Sequence, residues 1–200
     1  TKLKDGNCWM TQNLDYDMPV VSGVTVVTSL TGDGKCWTIA SPVEGVGGGQ
    51  TCSKWQDNNT LAEYYDPGDI GSGHEHRGNY YSWAAAMNNN TSATGQVQGI
   101  CPNGWHLPTK EVITTLKETY GYTTVSYVGL QNEPMYFLAG GFVQADGIES
   151  VNMTGNYWTS VPNGSTSAIY VTFNRYAGSS SPDSNSYQRF SGYCVRCLAN

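Results

Sequence analysis

Three groups of residues in this chain have types and spacings that could do chemistry. The first is six cysteines: Cys8, Cys36, Cys52, Cys101, Cys194 and Cys197. An even number of thiols in a Tyr-, Asn- and Ser-rich, Lys-poor chain points to disulfides made in an oxidising compartment. A zinc site would draw on two short Cys pairs, and only Cys194 and Cys197 are close together. Their CxxC spacing is that of a redox motif, but such a motif sits at a helix N-terminus, where the helix dipole lowers a thiol pKa. The stretch from Tyr193 to Leu198 reads instead as a strand, on which residues three apart face opposite ways. Each of the two therefore belongs to a separate bridge. Cys36 and Cys52 flank the glycine-rich run Gly45 to Gly49 and make a natural local staple. Closing a loop of about 15 residues is worth roughly 3 kcal/mol in the chain-entropy model.

The second group is His74-Glu75-His76, in the loop from Gly71 to Gly78. Two histidines at i and i+2 in a loop lack the i, i+4 arrangement of helical H-E-x-x-H, so no metal role is assigned to them. The acidic stretch Asp66 to Asp69 leaves room for a structural calcium, and no other cofactor is expected. There is neither a Gly-x-Ser-x-Gly elbow nor a glycine loop followed by Lys-Ser/Thr, and no enzymatic activity is expected. The third group is Asn174 to Ser191, rich in Ser, Asn, Gly, Tyr and Arg. It reads as a long ordered loop, and such loops usually carry function. Tyrosine supplies rigid amphipathic contact area while Ser, Gly and Asn adapt their hydrogen bonds, as in antibody-type paratopes. The candidate ligand-binding residues are Trp158, Tyr170, Asn174, Arg175, Tyr176, Asp183, Asn185, Tyr187 and Arg189.

The elements that position these residues follow from composition and periodicity. Hydrophobic residues make up 38% and charged residues 13% of the chain, both below the ordinary values of about 45–50% and 25%, and Gly and Tyr are abundant. Many turns and few long helices follow. The aromatic content and modest charge argue against disorder. Tyr80, Trp83, Ala84 and Met87 follow helical spacing, with Asn79 as cap and Asn88 to Asn90 as the stop. A second helix is predicted from about Thr109 to Tyr120. Thr109 would be its N-cap, Glu111 lies in its first turn, Val112, Ile113, Leu116 and Tyr120 form a buried stripe, and Gly121 ends it. Val20 to Leu30 reads as a strand or hairpin. Phe137 to Val143, Tyr157 to Val161, Ala168 to Phe173 and Tyr193 to Leu198 read as short strands. In the third of these, Ile169, Val171 and Phe173 face one way and Tyr170, Thr172 and Asn174 the other. No domain boundary is visible, and residues 1–200 are read as one domain. The motif Gly-x-x-Trp recurs at Gly6, Gly34 and Gly155, but with irregular spacing, so no solenoid is implied.

Three segments together, Asp5-Gly-Asn-Cys-Trp-Met-Thr-Gln-Asn-Leu14, Gly99-Ile-Cys-Pro-Asn-Gly-Trp-His-Leu-Pro108 and Gly192-Tyr-Cys-Val-Arg-Cys-Leu198, with Tyr157-Trp-Thr-Ser160, resemble the FISUMP or major paralogous domain family of bacterial surface and secreted proteins. That family is related to the C-type-lectin-like and formylglycine-generating-enzyme-like folds. The resemblance implies an α+β, C-type-lectin-like domain stapled by disulfides. Both chain ends would meet in a small, mostly antiparallel sheet flanked by two helices, with long loops on one side. It also implies a Cys101–Cys197 disulfide closing a loop of about 100 residues, worth roughly 4–5 kcal/mol. That leaves Cys8 and Cys194 to join the first and last strands, and gives His106 a structural place in the Trp-His-Leu-Pro motif. The calcium-dependent sugar motifs of C-type lectins are not matched, since Asn132-Glu133-Pro134 has the letters in another order. Some C-type-lectin-like proteins diversify such a C-terminal segment through retroelements that mutate adenines, and the residue usage between Asn174 and Ser191 is compatible with that.

The expected location is extracellular or at the cell surface. The net charge is −6 and Lys/Arg are not clustered, which sets aside a nucleic-acid partner. No apolar run is long enough for membrane insertion by this chain. The chain starts at Thr1 and is read as a mature fragment or a domain of something longer, with any anchor outside it. Two functions fit. One is a ligand-binding or adhesion module of a microbial surface protein, taking a protein or glycan on another cell or surface. The other is a structural subunit or tip domain of a pilus, sheath or other cell-surface filament, with neighbouring subunits as partners.

Overall fold

The computed structural model describes residues 1–14, 24–27, 36–39, 78, 80–88, 90, 95–120, 137–144, 147–150, 153–174, 184–189 and 191–200. The chain opens on the Asp-Gly turn. Gly6 takes φ +84, a conformation that favours glycine, and the Leu3 N–H donates to the Asn7 carbonyl across the turn. The Asp5 carboxylate accepts from the Asn7 N–H at 3.1 Å, from Asn7 Nδ2 at 3.0 Å and from Trp9 Nε1 at 3.0 Å. One acidic side chain thus holds the turn and aims Trp9 into the core, where it is fully buried.

From there the N-terminal segment runs beside the C-terminal one. Trp9 bridges Leu198, the Cys8 carbonyl accepts from the Ala199 N–H, the Met10 N–H donates to the Cys197 carbonyl and the Leu14 N–H donates to that of Val195. The same C-terminal segment also pairs Tyr193 with Tyr81 and Cys194 with Tyr157. It ends as strand β9 (Leu198–Ala199), antiparallel to β3 (Trp105–His106). Only its last two residues form a strand. The expected strand from Tyr193 is instead a line of single bridges, Tyr193 to Tyr81, Cys194 to Tyr157 and Leu198 to Trp9.

Four small antiparallel sheets are present among the described residues. They are β1 (Val24–Val27) with β2 (Cys36–Ile39); β3 with β9; β4 (Phe142–Gln144) with β5 (Gly147–Glu149); and the three-stranded sheet β6 (Thr154–Asn163), β7 (Ser167–Asn174), β8 (Ser184–Gln188). Strand β1 falls within the Val20 to Leu30 run read as a strand or hairpin, and its partner β2 lies beyond that run. The last sheet corrects the long loop expected between Asn174 and Ser191. Residues 184–188 are a strand, Val171 standing opposite Ser184 and Ser167 opposite Gln188, so the connection narrows to residues 175–183. The register of β6 on β7 shifts between Trp158 and Pro162, as expected where a proline withholds a ladder donor.

Helix α1 (Trp83–Ala86) is one turn long and buried on all sides. Its cap is Ser82, whose hydroxyl accepts from the Ala85 N–H at 3.2 Å. Asn79, the expected cap, lies outside the described residues. Asn88 ends the turn at φ +50, a left-handed conformation that asparagine tolerates. Helix α2 (Lys110–Thr119) is capped by Thr109 and carries Glu111 in its first turn, as read from the sequence. Ile113 and Leu116 are buried and Val112 and Tyr120 partly so. Lys117 is buried as well: its Nζ donates to the Thr172 carbonyl at 2.7 Å and lies 4.7 Å from the Phe173 ring centroid. Gly121 lies outside the described residues, and the helix closes on Tyr120.

The core has two clusters. One gathers Leu3, Trp9, Tyr80, Ile113, Leu116, Phe137, Tyr157, Val171, Phe173, Cys194 and Leu198. The other gathers Leu14, Tyr81, Trp83, Met87, Leu107, Trp158, Ala168, Tyr193 and the Cys101–Cys197 disulfide. The two cysteines of the CxxC motif therefore lie in different clusters. The expected Cys8–Cys194 bond is not formed: Cys8 is exposed and Cys194 buried. The pairing of the chain ends explains this. Cys8 sits opposite Ala199, five positions beyond Cys194, too far along extended chain for the Cα separation of about 4.4–6.8 Å that a disulfide needs. Cys36 lies on β2, whereas Cys52 lies outside the described residues.

Candidate ligand-binding face

The Cys101 to Pro108 motif holds the framework. Gly104 takes φ +82 so that the Trp105 N–H can reach the Pro102 carbonyl. The Gly104 carbonyl accepts from Asn200, Leu107 N–H donates to Val97, and the Pro108 carbonyl accepts from Ser160. His106 is buried and its Nδ1 lies 2.7 Å from Asn200 Oδ1, so its place is structural. Arg196 does similar work between the chain ends. Its guanidinium donates to Asn13 Oδ1 and to the Met10 carbonyl and stacks 4.5 Å from the Phe137 centroid.

On this frame the predicted ligand residues separate into two sets. Trp158 is fully buried. Its Nε1 donates to the Tyr81 carbonyl at 2.7 Å, and its ring lies 4.3 Å from Tyr193. It is a core residue, and its assignment to a ligand face is corrected. Arg189 is corrected likewise. It is only 5% exposed, Nε donates to the Ser167 carbonyl at 3.0 Å, Nη2 to the Gly164 carbonyl at 2.7 Å, and the guanidinium stacks 4.3 Å over Trp83. Burial draws its pKa below the ordinary guanidinium value. Asn174 is buried at the end of β7, opposite Thr154.

The other set is accessible. Tyr170 stands opposite Asn185, and Ala168 opposite Tyr187, so all four point to one face of the sheet. Ala168 is buried beneath, Tyr170 and Tyr187 are half-buried, and Asn185 is exposed. Tyr170 packs 4.6 Å from Tyr193, which Phe142 also meets edge-on at 5.8 Å. Phe142 is half-buried and extends the aromatic rim; the sequence reading missed it. The signal for it was weak, an aromatic flanked by Gly141 and Val143 in a run that reads as core. Arg175, Tyr176 and Asp183 lie outside the described residues, as do His74, Glu75, His76 and the Asp66 to Asp69 stretch. Among the described residues, no group of three or more His, Cys, Asp or Glu side chains comes together. Also among them, no helix is long and apolar enough to cross a membrane.

The chain matches the family model described as the Fibrobacter succinogenes major domain over residues 5–199. No curated protein matches it. The matched span takes in the Asp-Gly turn, the Cys101 to Pro108 framework and the C-terminal segment that joins both ends, and on that extent the chain belongs to the Fibrobacter succinogenes major domain family.

Proposed function

We propose that this chain is a ligand-binding or adhesion module of an extracellular microbial surface protein, and that it takes a protein or glycan through the β7–β8 face. The observation that carries the reading is the rim of Phe142, Tyr170 and Tyr187 beside exposed Asn185. Half-buried aromatics on a backed sheet give contact area with little entropy to lose, and an exposed amide supplies direction. These are phenol, phenyl and amide groups, which bind through apolar contact and hydrogen bonds. That supports a binding module rather than an enzyme. A disulfide within the core supports an oxidising, extracellular setting.

The test compares the wild-type domain with Tyr170→Ala/Asn185→Ala/Tyr187→Ala on a glycan array and in a pull-down from surface-protein extracts. Ligands captured by the wild type and lost by a folded triple variant support the face. Capture unchanged by the triple substitution places binding elsewhere. Asn185→Arg, at an exposed position, repeats the test without touching the core.

A further inference from the structure

A concavity lies between the end of α1 and the segment 95–99. It is an open concavity of about 270 Å³, and the described residues that line it are Met87, Asn88, Asn90, Gln96, Val97, Gln98 and Gly99. The backbone around it is fixed. Asn88 and Asn90 N–H groups donate to the Ala85 and Met87 carbonyls, the Ile100 N–H to the Ala86 carbonyl and the Leu107 N–H to Val97. Gly99 brings the two walls together at φ +55: a Cβ there would stand 2.2 Å from the Ala86 carbonyl oxygen. Gln98 is held in place by its own amide nitrogen, which donates to the Cys101 carbonyl and to Asn103 Oδ1, both at 3.1 Å. Met87 and Val97 are buried and form an apolar floor.

What distinguishes this cavity is its chemistry. Among the described residues of its lining, four of seven are primary amides and none is ionisable, in a chain of net charge −6. An amide offers two donors and an acceptor on one rigid plane. Neighbouring hydroxyls of a sugar ring each donate and accept, so they match amides without need of a charge. An apolar floor suits the C–H face of the same ring. Among the described lining residues a phosphate or carboxylate would find no cation, and a cationic ligand no anion. The volume falls just below the range of about 300–1,000 Å³ that houses drug-sized ligands, which suits one or two sugar rings.

We infer that this cavity is a binding site for a neutral saccharide unit, separate from the β7–β8 face and independent of what that face binds. The probes are methyl glucoside, methyl galactoside and methyl mannoside, with glucuronate and glucosamine as charged controls, observed by saturation-transfer NMR and titration of the folded domain. At least one neutral glycoside binds in the millimolar range and does so equally from pH 5 to pH 9, because none of the described lining residues is ionisable. Asn90→Ala/Gln96→Ala, at two exposed positions, weakens it at least tenfold. Asn88→Gly, which keeps the left-handed backbone and removes the amide, weakens it further. The Tyr170/Asn185/Tyr187 variant leaves it unchanged. Absence of binding by all three neutral glycosides, equal binding of the charged sugars, or affinity that survives the amide substitutions would each overturn the assignment.

Discussion

Arg189 shows how a single residue can be misread when its neighbours in space are far off in sequence. It lies in a Tyr-, Ser- and Asn-rich stretch, which is the company of ligand-binding arginines. In the fold the turn carbonyl of Gly164, the carbonyl of Ser167 and the ring of Trp83 all converge on it. None of these is local, so no pattern around residue 189 could announce them. The consequence is measurable. Arg189→Ala leaves two carbonyls without their donor and strips the cation from Trp83, so urea unfolding should show a loss of about 2–4 kcal/mol. Arg189→Lys should recover less than half of it, since an ammonium cannot span both carbonyls with a planar fork. Tyr157 makes a second residue-scale case. It is fully buried, its hydroxyl donates to the Leu138 carbonyl at 3.1 Å, and burial pushes its phenol far above the ordinary tyrosine value. A pKa raised in the folded state favours folding below the unfolded value of about 10 and withdraws that support as pH climbs beyond it. Stability should therefore fall on raising the pH above 10, and Tyr157→Phe should make that fall shallower in an alkaline unfolding series.

At the scale of elements, legibility followed how local the causes are. Helix α2 could be read because its signals lie within the helix: Thr109 at the cap, Glu111 in the first turn and the Ile113/Leu116 stripe. Strand β8 could not, because Ser184-Asn-Ser-Tyr-Gln188 has little β-propensity and becomes a strand through the ladder that β7 offers it. Helix α1 is shorter than the Tyr80 to Met87 spacing predicts, since Asn88 turns left-handed after one turn, while Tyr80 and Tyr81 approach it as extended chain. The α2 terminus carries a prediction of its own. Glu111 is held below the ordinary carboxylate value first by a backbone hydrogen bond and then by the Thr109 hydroxyl. Such a carboxylate supports the helix above its unfolded pKa, near 4.3, and that support is lost as the pH falls through its folded value. Thr109→Ala should cost about 1 kcal/mol at neutral pH. In an NMR titration the Glu111 carboxyl should move up toward its ordinary value; an unmoved Glu111 would show that the cap hydroxyl does not reach it.

At the scale of the whole molecule, the C-terminal segment is the common neighbour of everything else. Tyr81, Tyr157, Trp9 and His106 each pair with one of its residues. The motifs marked the resemblance because they build this junction, while the one cysteine assignment that failed depended on a register between chain ends that spacing does not encode. Cys101–Cys197 ties the junction to the segment preceding β3 across 96 residues of sequence, with a Cα separation of 6.0 Å. A crosslink over so long a loop acts chiefly on the unfolded chain, whose ends it keeps together. Replacing both residues, as Cys101→Ser/Cys197→Ser, should therefore lower the unfolding free energy by about 4–5 kcal/mol. It should also steepen the denaturant dependence, because the released chain exposes more surface. The proposed binding at the β7–β8 face, whose rim residues lie outside the bridge, should persist wherever the variant remains folded. A loss under about 1 kcal/mol with an unchanged slope would mean that the junction already holds the ends together in the unfolded ensemble, and that packing around Trp158 and Tyr193, rather than the crosslink, carries the stability of this half of the core.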